Sequence, residues 1–119
     1  MQTLARLLLA GIRLVNGSVA LFAPGLFIRN LGGDAAQNPA AVYAFRMFGI
    51  RTILVALELL WLKPEVRQLA VKQAPLIHAS DTVAAFLTSR SGLVPARAGA
   101  TIVAISTLNT LLSLVMQKR

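Results

Sequence analysis

Four apolar runs, separated by prolines, glycines and scattered charges, dominate the chain. A helix rises 1.5 Å per residue, so about 20 residues cross a hydrocarbon core. The first run covers 4–22 and meets Pro24-Gly25. Residues 27–38 then read as a loop around the turn signal Gly32-Gly33-Asp34. Asn38-Pro39 reads as a helix start, with Asn as cap and Pro at the first position. The second run, 40–62, ends at Lys63-Pro64, with Trp61 placed for an interface. The third is less clean: Arg67 and Lys72 precede Pro75, and its apolar part, 74–88, is short. A third span at about 72–89 follows, beginning either near Val66 with a kink at Pro75 or at Pro75 itself. Ser91-Gly92 and Pro95 form the next break, and the fourth run, 98–116, carries no charge. The pattern predicts one all-α membrane domain over 1–119, a four-transmembrane-helix bundle. Three spans, with the first or third segment lying in the interface, is the alternative.

Composition supports lipid as the solvent. The 119 residues are 56% hydrophobic and 13% charged, against roughly 25% charged in ordinary soluble domains. So few charges would cover a small soluble domain poorly. The net charge of +8 would suggest nucleic acid in a soluble protein. Here the basic residues form no stripe, and anionic lipid headgroups of the bilayer account for them instead. No Cys is present, which excludes disulfides and thiol chemistry. The first segment loosely resembles a signal peptide, but Arg13 interrupts it, so it reads as a retained span. With four spans, Arg6, Lys63, Arg67, Lys72, Lys118 and Arg119 share one side, and Arg29, Arg90 and Arg97 the other. The bias places both termini in the cytoplasm, in a cell inner membrane.

Charges inside the spans are the candidate chemistry. Arg13, Arg51 and Asp81 fall at the midpoints of the first three spans, where an unpaired charge is costly. They form a predicted buried cluster. Arg46 lies about 7 Å toward the outer face and Glu58 about 10 Å toward the cytoplasm. His78 is one turn from Asp81, Asn16 one turn from Arg13, and Asn109 near the depth of His78. Arg46 and Glu58 can equally snorkel to headgroups. The network is either a structural one or one that binds or moves something. A single His does not make a metal or haem site, and no cofactor is implied. Ser106, Thr110 and Ser113 recur at helical spacing on the fourth span and read as a packing face for a partner.

The blocks Arg13-Leu14-Val15-Asn16-Gly17, Arg46-Met47-Phe48-Gly49-Ile50-Arg51 and His78-Ala79-Ser80-Asp81 resemble a family of small four-span bacterial membrane proteins of unknown function. The resemblance implies the fold and the same polar positions, and no activity. In size and span number the chain is also similar in type to accessory subunits found beside mycobacterial envelope transporters.

Three functions compete. A non-catalytic accessory subunit of a larger membrane transport complex, lipid transport included, suits a chain without room for its own substrate path. A small dimeric proton- or anion-coupled transporter would use Glu58 or Asp81 as carrier, although nearby arginines hold Asp81 ionised. A lipid-acting enzyme would need His78 and Asp81 as an acid–base pair, without any serine elbow, P-loop or metal motif to assist.

Overall fold

The computed structural model describes residues 1–92 and 94–117. Lys118 and Arg119, used above for topology, lie outside the described residues. The chain is all-helical: α1 Gln2–Phe22, α2 Pro24–Asn30, α3 Pro39–Leu59, α4 Pro64–Arg90 and α5 Ala96–Val115. Three of these, α1, α3 and α5, are long and apolar enough to cross a membrane. The remaining long helix, α4, has 27 residues and so runs about 40 Å. Glu65, Arg67, Lys72, Asp81 and Arg90 interrupt its apolar character.

The segment expected to be a loop is largely helical. Pro24 does not end structure there; it sits at the start of α2, where a missing N–H and a preset φ suit the first turn. Gly32, at φ +90°, reverses the chain after α2. Asp34 then caps a single 3₁₀ turn, Ala35–Gln37, by accepting from Ala36 N at 3.2 Å. Asn38 precedes α3 as expected, but its side chain makes no cap bond. Its Nδ2 donates to Asp34 O at 2.8 Å instead.

The helices form two pairs. α1 packs along α3 and α4 along α5, with thinner contact between the pairs. Small residues allow the close approach. A Cβ on Gly49 would lie 2.6 Å from Gly17 O and 2.7 Å from Leu21 N. In the second pair, a Cβ on Gly99 would collide with Ser89. The buried faces therefore read as small residues: Gly49, Thr52 and Ala56 on α3, Ala70, Ala74 and Ala85 on α4. Large side chains point outward, among them Leu4, Leu8, Leu54, Leu57, Leu108 and Leu111. A soluble fold keeps exposed apolar patches small, whereas a lipid-facing one has no reason to.

Pro75 lies inside α4 without breaking it. Proline lacks the N–H that would bond to the carbonyl four residues earlier. That carbonyl, Val71 O, accepts from the Gln117 side chain at 2.7 Å. Membrane helices tolerate proline when a neighbour satisfies the freed group in this way.

Candidate functional site

Each long helix contributes one buried polar residue near mid-length: Arg13 on α1, Thr52 on α3, His78 on α4 and Asn109 on α5. Arg13 Nη1 donates to Asp81 Oδ2 at 3.2 Å. It also lies 3.4 Å from His78 Nδ1. Arginine can only donate, so Nδ1 is the acceptor and the ring proton belongs on Nε2. The Asp81 side chain is 40% exposed, against 7% for Arg13. The pair thus has a buried cation and an anion at the edge of open space.

That space is a cleft of about 1000 Å³ between the two helix pairs. Arg13, Thr52, Asp81 and Asn109 line its deep end. Phe27, Phe45, Phe48, Ile102 and Ile105 line its walls, and Asn30 and Arg97 stand at the end near α2. Phe27 and Phe45 are in tilted contact, with ring centroids 5.7 Å apart, and join α2 to the wall. Beyond the polar residues, toward Gln2 and Gln117, the bundle is closed by a core of Ala5, Leu9, Ala10, Leu59, Ala70, Ala74 and Met116. Tying side chains seal that end further: Arg6 donates to Leu59 O at 2.6 Å and Gln2 to Gln117 O at 2.7 Å. The cleft therefore stops halfway.

Among the described residues, four buried polar atoms at this level have no protein partner: Arg13 Nε, Thr52 Oγ1, His78 Nε2 and Asn109 Oδ1. Buried polar groups are normally bonded, because leaving one unpaired costs about 1–3 kcal/mol. Three of the four residues, Arg13, Thr52 and Asn109, also line the cleft, although the unpartnered atoms themselves are buried.

The residues singled out by sequence are placed as follows. Arg13, His78 and Asp81 come together; Asn16 and Asn109 line the same cleft. Arg51 does not join them: it is exposed, on the outside of α3. Its depth was a fair expectation, but a helix turns about 100° per residue. The neighbouring Thr52 takes the inward position, which sequence reasoning missed. Thr52 could have been found from its spacing of three and four residues from Gly49 and Ala56, the small-residue face of α3. Arg46 is also exposed and Glu58 half-buried, and neither side chain forms an ion pair among the described residues.

The stripe read as a partner face is taken by the chain itself. Thr110 Oγ1 lies 3.0 Å from Thr82 Oγ1 of α4, and Ser113 is fully buried. Ser106 is half-buried and lines the cleft. Small hydroxyl residues favour any close helix neighbour, and here the neighbour is α4. Among the described residues, no group of three acidic, His or Cys side chains could hold a metal ion.

No family model, no curated protein and no solved structure matches the chain. The resemblance drawn from the three sequence blocks gains nothing from these comparisons. What stands is an all-helical protein with several long apolar helices of the membrane type.

Proposed function

We propose that the chain is a non-catalytic binding subunit of a larger membrane transport complex, spanning the membrane four times with α4 as the third span. Both termini lie in the cytoplasm, and the cleft opens toward the opposite face. One observation carries the reading: the cleft reaches the polar floor and ends against a packed core. Such a recess holds a guest but gives it no route across, so passage requires other protein. The outward face of large apolar side chains offers lipid or a neighbouring helix ample contact.

The test is gentle detergent extraction followed by mass spectrometry of what copurifies. A stoichiometric larger membrane protein is the expected result. A bare monomer or homodimer overturns the subunit reading. A homodimer that moves protons or anions in vesicles favours the small-transporter reading, for which the partly exposed Asp81 is the specific argument.

A further inference from the structure

We infer that the outer face of α3 docks against a partner's transmembrane helix that carries a carboxylate near its midpoint, and that this carboxylate pairs with Arg51. The inference rests on the chain being a subunit of a larger membrane complex, and it names the chemistry of the contact. Arg51 is exposed, and among the described residues its side chain makes no ion pair or hydrogen bond. It stands in the middle part of α3, a helix long and apolar enough to cross a membrane. A charge at that depth is costly unless it is paired or can reach water.

Reaching water serves Arg46 but not Arg51. Side chains on an α-helix lean toward its N-terminus. Arg46 lies seven residues from Pro39, about 10 Å at 1.5 Å each, so its stem leads toward the nearer headgroups. Arg51 is nearest to Leu59, eight residues or about 12 Å away, but leans away from that end. The end it leans toward is twelve residues distant, about 18 Å, which an arginine side chain does not span. Glu58 shares its side of the helix but is seven residues along, about 10 Å, and forms no ion pair among the described residues. The surroundings fit a helix. Met47, Ile50, Leu54 and Leu57 are exposed at spacings of three and four, and Arg51 sits in that stripe, four residues from Met47 and three from Leu54. A parallel second copy is a poor occupant, because a twofold axis through this face sets Arg51 against its own mate.

The test places the full purified chain in phosphatidylcholine vesicles with a lysine-flanked polyleucine peptide of membrane-spanning length. One version of the peptide has Glu at its centre and the other Gln, and energy transfer between labels reads association. The Glu peptide should bind about tenfold more tightly, the factor that corresponds to ~1.4 kcal/mol. Arg51→Gln should erase that preference, and Arg46→Gln should leave it. Thermal melting checks that both variants fold. Equal binding of the two peptides by the parent chain overturns the inference, because lipid and water then suffice for Arg51. A preference that survives Arg51→Gln overturns it as well. Energy transfer between two copies of the chain that Leu54→Ala removes would give the face to a second copy instead. In the copurified complex, Arg51→Leu should release the partner and Arg46→Leu should keep it. A partner retained by Arg51→Leu overturns this inference and leaves the subunit reading standing, whereas a parent chain that brings down no partner overturns both.

Discussion

The two halves of the bundle are built from the same kinds of residue yet behave oppositely. In the half that holds Gln2 and Gln117, all four long helices meet around Leu9, Leu59, Ala74 and Met116. In the other half each pair stays tight, clamped by Gly17–Gly49 and by Gly99–Ser89, but the pairs part to leave the cleft. Packing in a membrane has no hydrophobic drive between helices, so contact persists only where shapes fit or polar groups bond. The closed half has both. The open half has fit within pairs, and between them mainly the Arg13–Asp81 bridge at its base.

That bridge should give the largest effect. Asp81→Asn leaves the Arg13 charge buried with its counter-charge removed. Breaking a buried pair typically costs 3–5 kcal/mol, and the 40% exposure of Asp81 puts the expectation at about 3. The measurement is thermal stability in detergent. Arg51→Gln should be silent, within about 0.5 kcal/mol, because its side chain faces outward. Equal losses from both would return Arg51 to the central cluster and break the contrast between inward and outward faces.

These two arginines also mark what was legible in the sequence. Depth follows from counting residues from the breaks, and that count placed Arg13 and Asp81 at one level. Face needs the angular position as well, and the outer residues are as apolar as the inner ones. Hydropathy alone therefore cannot distinguish Arg51 from Thr52. The stripe of small residues can, as Gly49, Thr52 and Ala56 show. Helices α3 and α5 were legible because Pro39 and Pro95 precede them, whereas α4, read from about 72 or from near Val66, begins at Pro64. The short α2 was not legible, because Pro24-Gly25 read as a stop when the proline begins a helix. The cleft was not legible either, since a gap between helix pairs leaves no mark in one-dimensional order.

A second, smaller effect tests whether the open half is held within its pairs. Gly49→Ala puts one methyl against Gly17 O and Leu21 N, both backbone atoms that cannot turn aside. Overpacking of this kind costs about 2 kcal/mol and should part α1 from α3. The control is Gly11→Ala, where a Cβ meets nothing within 4 Å. There the better helix propensity of alanine should leave stability unchanged or raise it by up to ~1 kcal/mol. A Gly49 variant as stable as the Gly11 variant would mean that the clamp contributes nothing.

The smallest expected effect probes the closed half. Gln117 bonds through Nε2 to Val71 O and to Ser113 O, each at 2.7 Å. Val71 O is the carbonyl that Pro75 leaves without a helical donor. Gln117→Ala removes the substitute, so a partly buried acceptor loses its partner near the end of the bundle. The cost should be about 1 kcal/mol, at the low end for an unsatisfied group, because Val71 and Gln117 are only partly buried and water can replace the amide. Pro75→Ala restores the N–H and the ordinary bond to Val71 O. In that background Gln117→Ala should cost measurably less, since Val71 O then has a donor within its own helix. The double-mutant cycle reads this directly as a coupling between positions 75 and 117. Additive losses would show that the Gln117 side chain acts through Ser113 O, and the closed half would then owe its tightness to apolar packing rather than to the repair of α4.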